Sequence, residues 1–448
     1  MQQNNDTIVA ISTPPGIGGI AIIRMSGPES RDILARSFKG KTHPKNFKSH
    51  SIYFGKITNK KEVIDEVLVS AFIAPRSYTG EDVVEITCHG GSFVTHEILQ
   101  QMLRGGARMA KKGEFTLRAF LNNKMDLTKA EAVIDLVNAK THHSREASIN
   151  QLQGKLYKSI KKILDKITDL RSELELDLDF SDQGIESHTT EYIVNKLQKT
   201  KRELKSLIKT ADEGMILNTG YKVAITGKPN VGKSSLFNKI VENERAIVTN
   251  IPGTTRDYIE EDIALEGYLI KLFDTAGIQE SKDILEKAGI ERSFKITEEA
   301  NLILWVSDIT QTQPQSVRIS RPEKDIIKVF NKIDLVDGRE ETDQDDTVFV
   351  SAITGAGIDL LKKKIVAKID LKNYDIDKGM ITNTRQLAAA KRSLCAITQA
   401  IKTAKQERGI EFIAFDLSDA SEALEEIIGK VTSDKIINSI FERFCVGK

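Results

Sequence analysis

At 448 residues, 40% of them hydrophobic, the chain is long enough for several domains with cores of their own, and no single compact domain is expected. Lys plus Arg (65) nearly cancel Asp plus Glu (64), which excludes a globally basic surface and leaves any nucleic-acid contact to a local patch. Three dispersed cysteines, Cys88, Cys395 and Cys445, argue against a disulfide framework or zinc ribbon; with no basic-then-apolar leader and no apolar run of about 18 residues, a cytoplasmic, non-membrane protein is expected.

Residues 1–120 alternate short β-rich runs (7–11, 19–24, 67–72, 83–87) with Gly/Pro turns and an amphipathic segment at 96–103, which predicts a small α+β domain. From 121 to 215 the pattern turns helical: Leu152, Leu156, Ile160, Ile163, Ile167, Leu170 and Leu174 recur every three or four residues, and Val194, Leu197, Leu204 and Leu207 mark a second helix. Residues 216–376 alternate strands with helices, as in a doubly wound, mostly parallel sheet covered on both faces. Residues 377–448 are helical again. The expected architecture is therefore α/β and α: an N-terminal α+β domain, then one helical domain in two parts (121–215 and 377–448) with the α/β domain inserted between them.

A strand at 221–226 runs into Gly227-Lys-Pro-Asn-Val-Gly232-Lys233-Ser234-Ser235, a match to GxxxxGK[ST] in its strand, loop, helix setting. Glycines at 227 and 232 let the backbone curl so that successive N–H groups, those of Asn230, Val231 and Gly232 among them, face phosphate oxygens. Lys233 is placed to neutralise the β and γ phosphates and Ser234 to ligate Mg2+. Downstream, a strand ends in Asp274-Thr275-Ala276-Gly277, which sets a carboxylate to hold a Mg2+ water and a glycine to sense the γ-phosphate. The intervening loop, Thr249-Asn250-Ile251-Pro252-Gly253-Thr254-Thr255, brings hydroxyls to the metal, Thr255 being assigned to Mg2+. In Asn331-Lys332-Ile333-Asp334 the aspartate can accept from the guanine N1–H and 2-amino group together, which adenine does not offer, so GTP is the expected substrate. Ser351-Ala352 is expected to supply a backbone N–H to the guanine carbonyl.

The residue after Gly277 is Ile278, where many small GTPases carry a water-orienting glutamine. Glu286 is the leading replacement, with Gln279 behind it and a solvated helical carboxylate as the plain alternative for Glu286. No arginine finger can be assigned, and Arg256 in the switch loop fits a structural role. A monovalent cation between Asn230 and the 249–254 loop would supply equivalent charge.

The GTPase block, with Gly253-Thr-Thr-Arg-Asp257, is shared by several translation-linked GTPases. Four further segments narrow the likeness: Thr13-Pro-Pro-Gly-Ile-Gly-Gly19, Ser77-Tyr-Thr-Gly-Glu-Asp82, Gly113-Glu-Phe-Thr-Leu-Arg-Ala-Phe-Leu-Asn-Asn-Lys-Met-Asp-Leu127 and Phe444-Cys-Val-Gly-Lys448. On these the chain resembles, over nearly its full length, the tRNA modification GTPase family known as MnmE or TrmE.

The resemblance implies an N-terminal domain that forms a homodimer and binds a reduced folate (5-formyl or 5,10-methylene tetrahydrofolate), with contacts at Arg24, Glu85, Lys124 and Lys448. It implies potassium ligands at Asn230, Thr249, Ile251 and Thr254. It further implies a heterotetramer with an FAD-dependent partner, MnmG (GidA), which together install an aminomethyl or carboxymethylaminomethyl group on carbon 5 of the wobble uridine of certain tRNAs. Taken alone, the four folate positions read as surface charges. Lysines such as Lys155, Lys158, Lys161 and Lys162 on one central helix, and Lys196, Lys199, Lys201 and Lys205 on the next, offer a track for tRNA phosphates, but interleaved acids favour a solvated face, and the tRNA surface is left unassigned. Cys445 fits a docking tail better than a nucleophile, and Cys88-His89, adjacent on a strand, should point to opposite faces.

Overall fold

The computed structural model describes residues 6–179, 188–242, 259–274, 295–311, 325–336, 346–369 and 379–448. The chain forms two compact units, one of residues up to Ile134 together with Ser418–Lys448, the other Asp135–Leu417.

In the first unit seven strands make one sheet: β1 (Ile8–Ile11), β2 (Gly18–Ser26), β3 (Phe38–Gly40), β4 (Ser51–Asn59), β5 (Glu62–Phe72), β6 (Val83–Gly90) and β7 (Arg108–Met109), in the order β3-β4-β5-β6-β2-β1-β7. The strands alternate buried and exposed residues, so Ile23, Met25, Val69 and Ile86 point to one core. Helix α1 (Ser30–Ala35) adds Ile33 and Leu34 to that core, and α2 (Ser92–Arg104) adds Ile98, Leu99 and Met102. The register of β2 against β6 sets Arg24 directly across from Glu85. Helices α3 (Glu114–Leu121) and α4 (Leu127–Asn138) follow. On α4, Leu127, Ala130 and Ile134 join Ile437, Ile440, Phe441 and Phe444 in one buried cluster. That apolar contact ties the end of the chain to this unit.

The second unit takes in the last turn of α4, then α5 (His142–Leu152), α6 (Lys155–Asp179) and α7 (Thr190–Thr219). The apolar stripe expected on α6 is buried from Leu156 to Leu174, but Leu152 is not part of it: Gly154, at φ 79°, breaks the helical path and leaves Leu152 at the end of α5. Six strands form the second sheet: β8 (Tyr221–Gly227), β9 (Ile259–Leu265), β10 (Tyr268–Asp274), β11 (Leu302–Asp308), β12 (Asp325–Asn331) and β13 (Thr347–Phe349), in the order β13-β12-β11-β8-β10-β9. All pairings are parallel except β9 with β10. Helices α8 (Lys233–Glu242) and α9 (Ile358–Ala367) bury Leu236, Phe237, Leu361 and Ile365 in the sheet's core. After it come α10 (Thr384–Lys405), α11 (Ile410–Ile428) and α12 (Asp434–Phe441). The chain leaves and re-enters the helical layer at neighbouring points, where Asn218 Nδ2 donates to Thr382 O at 3.2 Å and a Cβ on Gly214 would lie 2.1 Å from Ile381 O. Among the described residues no helix is long and apolar enough to cross a membrane.

Candidate functional site

The phosphate-binding loop joins β8 to α8 at the carboxyl end of the parallel strands, where a doubly wound sheet leaves a crevice. Its shape depends on residues at positive φ: Gly227 at 152°, Asn230 at 63° and Gly232 at 92°. A side chain at 227 would come within 2.2 Å of Val306 O, and one at 232 within 2.3 Å of Asn331 Nδ2. Glycine is thus required at both positions by close approach as well as by φ. Lys233, 6% exposed, donates to Lys228 O at 2.8 Å. Burial holds its ammonium below the usual lysine range, and the carboxylate of Asp274 only partly offsets this. Ser234 Oγ donates to Asp274 Oδ2 at 2.7 Å, so the two groups assigned to the magnesium shell already face each other at the end of β10.

The base motif is built onto this loop. Asn331 Nδ2 donates to Val231 O at 2.9 Å while its Oδ1 accepts from Ala352 N at 3.0 Å. Lys332, itself at φ 69°, donates to Asn230 O at 3.1 Å and to Asp308 Oδ2 at 2.6 Å. Burial opposes the charge of Asp308, but Lys332 and Thr310 outweigh it and hold the carboxyl below the ordinary range. Ser351 Oγ donates to Asp334 Oδ1 at 2.5 Å. Hydrogen bonds thus join residues 230–231, 308, 331–334 and 351–352. The Ala352 N–H, assigned from sequence to the guanine carbonyl, donates to Asn331, and Ser351 N donates to Ala356 O at 3.0 Å. In this conformation Ser351 Oγ is engaged with Asp334 and the Ala352 N–H with Asn331.

In the first unit Arg24 Nε donates to Glu85 Oε1 at 2.8 Å and its Nη1 to Gly447 O at 3.3 Å, with the rings of Tyr78 and Phe115 at 5.9 and 5.7 Å from the guanidinium. The 445–448 tail is laced onto this place: Ser12 Oγ donates to Gly447 O, Phe115 N to Lys448 O, and Gly113 N to Cys445 O. Burial, then the like charge of Arg24, pulls the Lys448 ammonium below its usual range. Arg24, Glu85 and Lys448 are thus brought together, and Lys124 donates to Pro75 O at 2.9 Å. Cys445 is exposed and Cys88 buried. Burial first, then Asp65, pushes the Cys88 thiol up to about 11, and His89 turns outward to Asp65 at 2.7 Å, as neighbours on a strand must.

The model of the MnmE helical domain matches residues 127–445, and that of the GTP-binding protein TrmE N-terminus matches 7–124. The tRNA modification GTPase MnmE of Acetivibrio thermocellus is 38% identical over 455 residues, 99% of this chain and 99% of that protein. The chain belongs to the MnmE (TrmE) family. Its relatives of the same name in Bacillus licheniformis and Staphylococcus aureus are each 39% identical across 99% of this chain, covering 100% and 99% of their own lengths. The G domain of the T. maritima FeoB iron transporter aligns with 33% of this chain and 98% of its own, at 29% identity and a TM-score of 0.23.

Within that family frame, Thr249, Asn250, Ile251, Pro252, Gly253, Thr254, Thr255, Thr275, Ala276, Gly277 and Glu286 lie outside the described residues. Sequence reasoning missed Asp308, Tyr78, Phe115 and Gly447. For Asp308 a signal exists, a carboxylate at the carboxyl end of the strand before the base motif; the others stand out only through contacts distant in sequence.

Proposed function

We propose that the chain is a Mg2+-dependent GTP hydrolase whose turnover, in a heterotetramer with the FAD-dependent MnmG (GidA), supports addition of an aminomethyl or carboxymethylaminomethyl group to carbon 5 of the wobble uridine of certain tRNAs. The observation that carries the GTP reading is the frame in which Asn331 and Lys332 hold the phosphate loop by its backbone carbonyls. Joining the phosphate loop to the base motif in this way supports a nucleotide seated at Lys233 with its base at Asp334. The carboxylate then accepts from the guanine N1–H and 2-amino group, and the Ser351 hydroxyl keeps it turned.

The donor set fits the expected ions. A hydroxyl and a carboxylate oxygen at 2.7 Å suit a hard divalent cation, so Ser234, with Asp274 behind it and Thr255 from the switch loop, would hold Mg2+ against the β and γ phosphates. Bound there, Mg2+ supplies charge to the leaving oxygens. Lys233, desolvated before the nucleotide arrives, gains an anionic partner on binding. Asn230, held at positive φ, would share K+ with Thr249, Ile251 and Thr254, and Glu286 would orient the attacking water.

The Arg24, Glu85 and Lys448 cluster suits a ligand with an amino-pyrimidine edge and an anionic tail, which supports a reduced folate there, with Lys124 at its periphery. Exposed Ile52 and Phe54 on β4 and Leu68 on β5, Phe54 and Leu68 directly paired, form an apolar strip that supports a homodimer through this unit. The proposed domain division is 1–120, 121–215, 216–376 and 377–448, in the cytoplasm. Mass spectrometry of wobble uridines tests the reading: cells lacking the gene should lose the carbon-5 group, the wild-type chain should restore it and Lys233→Ala should not. Full modification in the deleted strain would remove the tRNA role.

A further inference from the structure

Among the described residues, the ligand atoms of His142, His143 and Glu146 lie within 4.8 Å of one another. They occupy the first turns of α5, whose N-cap Thr141 accepts from Ser144 N, so the side chains project from a fixed helical start. Glu146 Oε2 lies 3.9 Å from His142 Nδ1 and 4.0 Å from His143 Nδ1, the i,i+4 and i,i+3 spacings that bring side chains to one face. Tetrahedral Zn2+ at about 2.0–2.1 Å from its ligands wants them roughly 3.3 Å apart, so rotating two partly exposed side chains by less than about an ångström would close the set. The His142 side chain is 64% exposed, which leaves room for water as the remaining ligand.

The position is not a free helix end. A Cβ on Gly267, in the turn between β9 and β10, would lie 2.9 Å from His143 Cδ2 and 3.0 Å from Nε2. The His143 ring lies 4.5 Å from that of Tyr268, and His143 N donates to Gly267 O at 3.4 Å. Beside it Lys140 Nζ meets Asp262 Oδ2 at 2.7 Å. One face of the His143 ring is therefore spent on the hairpin while Nδ1 is turned to Glu146. That hairpin ends in Asp274, the carboxylate facing Ser234.

We propose that His142, His143 and Glu146 form a site for one borderline divalent transition ion of the Zn2+ class, and that its occupancy fixes the His143 ring that packs on the β9–β10 hairpin leading into the nucleotide site. Imidazole nitrogens with one carboxylate suit such an ion better than Mg2+, which keeps oxygen ligands and water. This site is independent of the GTP and folate readings, since it uses none of their residues.

Co2+ titrated into the full-length, nucleotide-free protein in excess Mg2+ tests it through the visible absorption of tetrahedral cobalt. One Co2+ per chain, displaced by Zn2+, is the expected result. Losing even an outer-shell partner costs a site about 10–100-fold in affinity, so His142→Ala and Glu146→Gln should each weaken binding at least roughly tenfold. A Cys395→Ser, Cys445→Ser double variant should bind as the wild type. Zn2+ should also slow amide hydrogen exchange at residues 265–268 in the wild type and not in His142→Ala. No cobalt spectrum, or a spectrum unchanged in both ligand variants, would overturn the site; binding with no change in hairpin exchange would overturn the coupling.

Discussion

Among single residues, the proposed site assigns base choice to the Asp334 carboxylate, which accepts from Ser351. Asp334→Asn replaces an acceptor by a donor opposite the guanine 2-amino group, and should weaken GTP by about 1–3 kcal/mol, roughly 10–100-fold in Kd. Xanthosine triphosphate, with a carbonyl at that ring position, should bind the variant better than GTP; a titration in which GTP affinity is unchanged contradicts the assignment. Lys233 is the opposite case, a charge kept under strain. Its folded pKa is lowered by burial, so its cost to stability is full below the folded value and vanishes only as pH rises past the unfolded value of about 10.4. Lys233→Met should therefore leave the Tm of the nucleotide-free chain equal or higher, while the rise in Tm on adding GTP disappears. A large fall in Tm would show the ammonium to be a structural contact. Both residues were legible from sequence because their motifs are contiguous. The Asn331 to Val231 bond, by contrast, joins residues a hundred positions apart and no local pattern announces it.

At the scale of elements, β8 and α8 follow from an apolar run meeting a glycine-rich loop, and α6 from its three-and-four spacing, which is why they were predictable. The short tail after α12 was legible as a docking tail but not where it docks, because its anchors, Ser12, Arg24, Gly113 and Phe115, are far from it in sequence. Gly447 sits at φ 96°, where a Cβ would meet Ile11 O at 2.5 Å. Gly447→Ala should loosen the tail and lower calorimetric folate affinity by about tenfold, on the order of 1–2 kcal/mol of strain, without changing GTP binding. Unchanged folate affinity would separate the tail from that site. The start of α3 carries a second buried network, in which Glu114 Oε1 accepts from Arg108 at 2.6 Å and Arg118 at 3.2 Å. Burial opposes Glu114's charge, but Arg108, the Lys111 N–H and Arg118 outweigh it, so its folded pKa is lowered. Its stabilisation is thus present above the unfolded carboxylate pKa of about 4.3 and lost as pH falls through the folded value. Glu114→Gln should cost about 1–3 kcal/mol at neutral pH and little at strongly acid pH, as read by urea denaturation across pH.

At the scale of the whole molecule, the family models cover residues 7–124 and 127–445, and the α/β block lies between helices whose flanking residues are bonded to each other. The grouping of 418–448 with the first unit could not be read from sequence, since periodicity gives the buried face of a helix and not its partner. Guanine specificity and hydrolysis are both assigned to residues within 221–352. Initial rates of phosphate release from GTP and from ATP by the purified full-length chain, in Mg2+ with K+ or with Na+ at matched ionic strength, test this most directly. GTP should be turned over, faster in K+ than in Na+, and ATP should not; equal turnover of the two nucleotides would contradict it.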